Sequence, residues 1–544
     1  MDHVSTYFDR AVLSWLVGLP FLGALAILFL PRQHYKLLRV FSVLVMLLEL
    51  VVSLHLLTGD FSSADYQFAA RYPLIESFGV SFNVGVDGIS LWLVLLTTFV
   101  TPIALFASWT SVNTKVKEFA ICFLFLESAM IGAFVSLDLF VFYVFWELML
   151  VPMYLIIGIW GGADRIYASV KFFLYTMVGS LLMFVAILYV VAAYKNLSGH
   201  YSFDLAELSQ LVLERDVQYL LFAAFALAFA IKVPMFPFHT WLPDAHVQAP
   251  TGGSVILAAV LLKMGTYGFL RFAMPLFPLA SHAAGPTIAI FAIIGIIYGA
   301  YCAWVQKDVK KLVAYSSVSH LGFVMLGIFS VTQQGVAGAI LQMVNHGIST
   351  GALFLLVGVV YDRRHTRLLS EFGGLAKVMP LYTLLFVIVV MSSVGLPGTN
   401  GFIGEFMILN GTFLSHELVN PFAFTLFAAT GVILAAIYML HATLKMFWGP
   451  LDNPENEHLA DVGGRELTTL LPLVAFVFVL GFFPGVFLEK MNPSVDAFLK
   501  SYEAKLLDSN NKDSEPHLYK AALPAVRAPK LALGAGSQQE TSHD

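Results

Sequence analysis

The sequence carries little charge. Only 12% of its 544 residues are Asp, Glu, Lys or Arg, and 58% are apolar, whereas soluble domains carry about 25% charged residues. This composition excludes an ordinary soluble globular protein and indicates a polytopic membrane protein. The formal net charge of −5 is too small to favour binding to nucleic acid.

Cysteine and cofactor motifs are also scarce. The two cysteines, Cys122 and Cys302, lie in apolar runs, which favours small core residues over a disulfide. The chain has no Walker motif, no CxxC and no GxGxxG after a strand, which argues against nucleotide, flavin or an iron–sulfur cluster in this chain. His239 and His246 flank a helix break without a nearby third ligand, so no metal site is expected. The N-terminus, MDHVSTYFDR, is not typical of a cleaved signal peptide.

Apolar runs fill the chain almost from end to end. Runs of about 20 apolar residues span a bilayer, and we count fourteen, which predicts an all-α polytopic membrane protein. The longer polar connections are residues 58–87 and 194–216. The expected spans are 12–30, 37–57, 88–110, 117–135, 137–159, 168–193, 217–237, 252–275, 286–306, 310–330, 335–360, 379–410, 422–447 and 467–487.

Lysine and arginine are distributed unevenly between the two sides. Sixteen fall on odd-numbered connections and four on even-numbered ones. The positive-inside rule therefore places the odd connections in the cytoplasm and both termini on the opposite side. The sixteen are Arg32, Lys36, Arg39, Lys115, Lys117, Arg165, Lys171, Lys307, Lys310, Lys311, Arg363, Arg364, Arg367, Lys377, Lys445 and Arg465; the four are Arg71, Lys195, Arg215 and Arg271.

Two sets of five helices suggest an internal repeat. Runs four to eight and nine to thirteen each have an interrupted fourth member, with KVPMFP at 232–237 and GLPGTNG at 395–401. Five is an odd number, so the second set would be inverted in the membrane, a recurring transporter plan. A short amphipathic helix is expected at 492–507 and a disordered tail from 508. The predicted units are 1–116, 117–275, 286–447, 448–490 and 491–544.

Ionisable residues inside the apolar runs mark ion or proton pathways. Glu147 and Lys232 each disfavour their charged form when buried alone, and each stabilises the charge of the other when paired. A static salt bridge between two helices is the simpler alternative. Lys263 lies eleven residues into its run, too deep for ordinary snorkelling toward a helix end. We therefore expect Lys232 and Lys263 to carry protons.

Four further candidates lie in later or neighbouring runs. His320 and His346 fall near the middle of their helices among serine and asparagine, a polar stripe that suggests bound water. A proton-carrying role and a role as satisfied core histidines are both left open for them. Glu405 follows the second break among glycines that permit an unwound segment, and is expected to be the last proton holder rather than a helix cap. Glu127 is a weaker relay candidate.

Four long segments carry a family resemblance. KVPMFPFHTWLPDAHVQAPTGGSVILAAVLLKMGTYG, DVKKLVAYSSVSHLGF, QMVNHGISTGALFLLVGVVYDRRHTR and PGTNGFIGEF resemble the antiporter-like membrane subunits of respiratory complex I, the NADH–quinone oxidoreductase. The similarity covers about residues 85–450. Glu405 separates the chain from the L- and N-type members of that family, which have lysine at this place.

The resemblance implies a role for each matched position. Glu147 and Lys232 match the coupled pair of the family, Lys263 its central relay lysine, His320 a histidine on the way to the exit, and Glu405 the terminal acid. It also implies a multi-pass protein of the bacterial inner membrane with both termini in the periplasm, and L- and N-type neighbours as partners. NADH, FMN, iron–sulfur clusters and quinone would belong to partner subunits, with no cofactor in this chain.

Three other functions remain open from the sequence. The chain could belong to a multi-subunit sodium/proton antiporter or a membrane-bound hydrogenase, which share several of these motifs. It could be a quinone-binding redox subunit, although no cofactor ligands are evident. It could also be a scaffold, in which case neutralising Lys263 would leave proton pumping intact.

Overall fold

The computed structural model describes residues 2–511 and 516–519. Eleven helices in that part of the chain are long and apolar enough to cross a bilayer, and two shorter apolar helices accompany them. Together with the helix that ends at Lys232, they correspond to the fourteen predicted runs. The helical fold is therefore confirmed.

The helices are labelled in chain order, with broken helices given as a and b. Their bounds are α1 Asp2–Phe29, α2 Tyr35–Leu54, α3 Leu91–Ala107, α4 Val116–Val135, α5 Leu139–Trp160 with a turn at Met149, α6 Arg165–Ser198, α7a Arg215–Lys232, α7b Trp241–Gln248, α8 Thr251–Leu276, α9 Pro278–Trp304, α10 Val309–Phe329, α11 Gln333–Arg364, α12a Pro380–Val394, α12b Asn400–Phe413, α13 Pro421–Phe447, α14 Gly464–Phe482 and α15 Pro484–Asn511.

Three helices form the centre of the molecule. The most apolar stretches of α8 and α11 are completely buried and that of α10 is nearly so, whereas much of α6, α13 and α14 is exposed. A helix that is apolar all round and buried belongs to a core, while helices with an exposed apolar face meet lipid or other subunits. The central helices α8, α10 and α11 also carry Lys263, His320 and His346.

The first break separates α7a from α7b. α7a ends at Lys232, and residues 233–240 form turns that contain Pro234 and Pro237. Backbone carbonyls freed in a membrane need an internal partner. The indole Nε1 of Trp241, the first residue of α7b, donates to the carbonyl of Ile231 at 2.8 Å. The second half of the broken helix thus supplies a hydrogen-bond donor for a carbonyl at the end of the first half.

The second break separates α12a from α12b. α12a ends at Val394, and Gly395 follows with φ +81°, a left-handed conformation that favours glycine. The helix resumes at Asn400, whose side chain accepts a hydrogen bond of 2.5 Å from Ser392 of α12a. Both predicted interruptions are confirmed, each in the fourth helix of its set of five, while the inverted relation of the two sets stays a prediction.

Short strands occur in segments that the sequence analysis assigned to polar connections or to a disordered tail. Residues 58–87 contain an antiparallel hairpin of β1 Gln67–Ile75 and β2 Val80–Val86. The predicted disordered tail is wrong for two stretches: α15 continues to Asn511, and His517–Leu518 pairs with Leu211–Val212. The rest of the predicted tail lies outside the described residues. The amphipathic helix expected at 492–507 is confirmed within α15.

Candidate proton pathway

Lys263 and His346 are in direct contact. Lys263 lies on α8 with no solvent exposure, and its Nζ is 2.7 Å from Nδ1 of His346 on α11. The Nζ also donates to the carbonyl of Ala258, which belongs to the π-helical segment Leu257–Leu261. A π-helical segment widens the helix locally and is frequent at functional sites. The sequence predicted both residues but not their contact.

His320 and Glu405 form the second contact. Nδ1 of His320 on α10 is 3.0 Å from Oε1 of Glu405 on α12b, and both side chains are about 4% exposed. Gln342 of α11 donates its Nε2 to the same carboxylate oxygen at 3.1 Å. On its other side, Nε2 of His320 lies 3.3 Å from the Ser393 hydroxyl and 3.4 Å from that of Tyr438.

The two contacts are neighbours. The rings of His320 and His346 lie 5.8 Å apart between centroids, inclined by 58°. A small cavity between them is lined by polar side chains: His320, His346, Gln342, Asn345, Ser349, Thr350, Ser392 and Ser393. A buried polar cavity of this kind suits a hydrogen-bonded water. Lys263, His346, His320 and Glu405, in that order, are called the four-residue chain below.

Gln342, Asn400 and Tyr438 support this chain and were missed by the sequence reasoning. The Nδ2 of Asn345 donates to the carbonyl of Asn400 at 2.7 Å, and that of Asn400 returns a bond to the carbonyl of Asn345 at 3.2 Å. A signal for Gln342 existed. Gln342, Asn345, His346 and Ser349 are spaced by three and four residues along α11 and so share one face.

Glu147 and Lys232 are close but not paired as expected. Lys232 is 1% exposed, and its Nζ has no hydrogen-bond partner and lies 5.1 Å from the ring centre of Trp146 and 5.9 Å from that of Phe172. In the described part of the chain no ion pair joins Lys232 to a carboxylate. Glu147, next to Trp146, is half-buried and near enough to act on Lys232 electrostatically. The geometry is a cation over aromatic faces, not a closed salt bridge.

Lys232 and the four-residue chain lie on adjacent helices. α7a and α8 cross closely, since a Cβ on Gly265 would lie 2.7 Å from the carbonyl oxygen of Phe229 and 2.9 Å from the amide of Val233. Lys232 is the residue before Val233, and Lys263 is two residues before Gly265. Within the described residues no hydrogen bond links the two lysines, so a proton passing between them needs water or a side-chain movement.

Glu127, His246 and Lys310 are buried ionisable residues that lie outside these contacts. Glu127 is fully buried on α4 and faces Glu49 rather than Glu147. His246 stacks on Phe354 with ring centroids 4.4 Å apart, and neither ring nitrogen has a hydrogen-bond partner among the described residues. Lys310, one of the residues assigned above to the cytoplasmic connections, is only 6% exposed and donates to the carbonyl of Ala249 at 2.6 Å. Lys310 is buried because α7b packs against α10.

Residues 136–442 match the family model described as NADH:quinone oxidoreductase/Mrp antiporter, TM. The chain is 48% identical to the NADH-quinone oxidoreductase subunit M of Rhodobacter capsulatus over 84% of its own length and 89% of that protein. It is 43% identical to the NADH-ubiquinone oxidoreductase chain 4 of Marchantia polymorpha, over 89% and 96%.

Solved structures give the same assignment. A chain of respiratory complex I from Thermus thermophilus superposes with a TM-score of 0.81 at 33% identity, over 91% of this chain and 99% of that one. A chain of the Mrp complex of Dietzia has a TM-score of 0.78 at 18% identity, covering 92% and 99%, and shares the fold. The resemblance noted from the motifs is confirmed, and the chain belongs to the subunit M family of NADH-quinone oxidoreductase, among the antiporter-like membrane subunits.

Proposed function

We propose that this chain translocates protons in the membrane arm of an NADH–quinone oxidoreductase and performs no redox chemistry itself. The observation that carries the proposal is the four-residue chain at the centre of the molecule. Its members are three nitrogen bases followed by one carboxylate, all groups that bind and release protons, and they are buried among apolar helices. Ionisable groups at such depth are costly and mark proton relays.

The proton path begins at Lys232. Electron transfer in partner subunits would perturb Glu147 and Lys232, and Lys232 would then give up its proton toward Lys263. Because Lys232 is held only by aromatic faces and the field of Glu147, a small movement of either helix changes its affinity for the proton. The open geometry of this pair therefore suits a switch better than a closed salt bridge would.

The second part of the path is the four-residue chain. Lys263 Nζ passes a proton to Nδ1 of His346, and the cavity between the two histidine rings conveys it to His320. Nδ1 of His320 then protonates Oε1 of Glu405, which releases the proton on the side predicted to be periplasmic. Moving one charge against 100 mV requires about 2.3 kcal/mol, which is comparable to the net worth of a charged hydrogen bond, about 1.5–3 kcal/mol.

Partners and location follow from the same proposal. The chain would lie in a bacterial inner membrane with both termini in the periplasm, beside L- and N-type antiporter-like subunits. NADH, FMN, iron–sulfur clusters and quinone would be held by partner subunits. The exposed apolar faces of α6, α13 and α14 are available for lipid and neighbours. The Mrp antiporter alternative rests on a likeness of fold at 18% identity.

The test is the Glu147→Gln variant of the assembled complex in proteoliposomes, driven by NADH and quinone. We expect a severalfold fall in protons moved per NADH, because the glutamine is neutral and no longer acts on Lys232. Glu214→Gln is the matched control, since Glu214 is exposed at the start of α7a and caps nothing with its side chain. Undiminished pumping by a fully assembled Glu147→Gln complex contradicts the proposal, and a chain that co-purifies without a quinone-reducing arm favours the antiporter alternative.

A further inference from the structure

The buried face of α2 is unusually polar for a membrane helix. Its fully buried positions are Leu38, Ser42, Met46, Glu49 and Ser53. Ser53 is hydrogen-bonded to Thr98 of α3 at 2.7 Å, and Ser42 donates to the carbonyl of Leu38. The hydroxyls are therefore satisfied within the helices. Glu49, between them, is the one member of this face whose polar atoms have no such partner.

Glu49 faces Glu127 of α4. Both side chains have no solvent exposure, and their carboxyl groups are within hydrogen-bonding reach of each other. All four carboxyl oxygens lack a hydrogen bond from any N–H or O–H group in the described part of the protein. The hydroxyl of Thr101 adjoins Glu127 but donates to the carbonyl of Thr97.

The charged groups of the neighbouring helices do not neutralise this pair. Glu118, about two and a half turns before Glu127 on α4, is paired with Arg32 at 3.2 Å. At the far end of α2, His55 is paired with Asp9 of α1 at 2.7 Å. α3 presents threonines, and Ser128 of α4 donates to the carbonyl of Val17 of α1. In the described residues no salt bridge reaches Glu49 or Glu127.

We propose that Glu49 and Glu127 bind one proton between them. Two carboxylates in contact cannot both be ionised in a low-dielectric interior, and a single shared proton makes one group the donor and the other the acceptor. A proton is the smallest ligand that satisfies oxygens which no protein donor reaches. The pair lies outside the four-residue chain, so this proton-binding site does not depend on the proposed pumping route.

Infrared spectroscopy of the purified complex tests the proposal. The difference between wild type and the Glu49→Gln/Glu127→Gln double variant, recorded near neutral pH, should contain the C=O stretching band of one protonated carboxyl group and the signal of one carboxylate. The acid band should shift in D₂O. Glu118→Gln is the matched control on the same helix and should remove carboxylate signal only, because its partner is Arg32.

Two single variants give the same answer where the double variant fails to assemble. Glu127→Gln supplies an amide donor in place of the shared proton, so the acid band should disappear and one carboxylate should remain. Glu127→Leu leaves Glu49 buried without a partner, so one acid band should remain at a shifted position. Two acid bands in wild type, carboxylate signals alone, or an acid band that depends on sodium concentration would each overturn the shared proton. These readouts need no pumping, so they are independent of the proposed function.

Discussion

Lys263 on α8 holds its Nζ 2.7 Å from Nδ1 of His346 on α11. When Lys263 is protonated its ammonium is the donor, since it has no lone pair to accept with, and the imidazole then presents an unprotonated Nδ1. Among the described residues, His346 is the only side chain hydrogen-bonded to Lys263, whose other bond goes to the carbonyl of Ala258. The two side chains are thus one unit in which a proton has two places to reside.

Removing His346 should leave Lys263 without a side-chain hydrogen-bond partner. In His346→Leu, Lys263 loses its side-chain acceptor in the buried interior, and we expect proton pumping to fall severalfold and the complex to lose about 1–3 kcal/mol of stability. In the His346→Leu/Lys263→Met double variant, stability should recover because no unpaired amine remains, while pumping stays low. Native gels and proteoliposome pumping measure the two effects separately.

His416→Leu is the control for this cycle, because His416 is exposed in the connection after α12b. It should leave assembly and pumping unchanged. Full pumping in His346→Leu would mean that the contact with Lys263 has no part in proton transfer. Failure of the double variant to recover stability would mean that His346 acts mainly through packing.

Glu405 should matter more for the proton that it can bind than for the hydrogen bonds that its oxygens accept. Glu405→Gln keeps a side-chain oxygen to accept from His320 and from Gln342, which now lie 3.0 and 3.1 Å from Oε1. An amide takes up no proton, so we expect normal assembly and a severalfold loss of pumping in proteoliposomes. Glu417→Gln is the control, since Glu417 is a half-buried acid paired with His282 on the same side of the protein. Unchanged pumping in Glu405→Gln would exclude Glu405 as the terminal proton holder.

Most of this pathway is visible in the sequence because its signals are local. Lys263 and Glu405 stand out as charges inside apolar runs, and the helix breaks stand out through Pro234 and Gly395. The contact partners depend on how distant helices meet. Nothing local to His346 indicates that it accepts from Lys263 rather than from His320, and only the folded structure decides.

The features that the sequence did not predict also depend on contacts between segments that are distant along the chain. The hairpin of β1 and β2 has two register shifts in its pairing, and it packs against α1, α4 and α5, which are distant in sequence from one or both strands. Lys310 has the position of an ordinary cytoplasmic lysine, but its burial follows from α7b lying against α10. Glu147 and Lys232 were expected to act as a coupled pair, and the sequence did not indicate that Trp146 and Phe172 occupy the space around the amine.

The crossing of α7a and α8 should tolerate no added methyl group. In Gly265→Ala, the new Cβ would lie 2.7 Å from the carbonyl oxygen of Phe229, which is backbone and cannot rotate away. The helices must separate, which costs about 1–3 kcal/mol and increases the distance between Lys232 and Lys263. We expect a lower thermal transition of the complex together with slower pumping.

Gly18→Ala is the matched control for this crossing. Gly18 lies inside α1, and a Cβ there would meet no heavy atom within 4 Å. Alanine in a helix interior is favoured over glycine by about 0.5–1 kcal/mol, so this variant should be neutral or slightly stabilised. Equal stability and equal pumping of the Gly265→Ala and Gly18→Ala complexes would show that the close crossing has no role in the pathway.

The docking of α15 should strengthen as pH rises. Lys505 of α15 is 4% exposed and donates to the carbonyl of Pro275 at the end of α8 at 2.7 Å. Burial lowers the pKa of Lys505 from 10.5 to about 7. Between pH about 7 and pH 10.5 the undocked helix binds more protons than the docked helix. The free energy of docking therefore becomes more favourable by up to about 1.4 kcal/mol for each unit of pH increase. The rate of limited proteolysis within α15 should therefore fall as the pH is raised from 7 into the alkaline range, after correction for the pH dependence of the protease itself.

Lys505→Met removes the titrating amine and keeps an unbranched side chain of similar length. Its rate of cleavage should be nearly independent of pH, and at neutral pH α15 should be at least as well docked as in wild type, because no buried amine must lose its proton. Lys500→Met is the control, since Lys500 is exposed on the same helix and should retain the pH dependence of wild type. An unaltered pH dependence in Lys505→Met would assign the effect to another group in the contact between α15 and the end of α8.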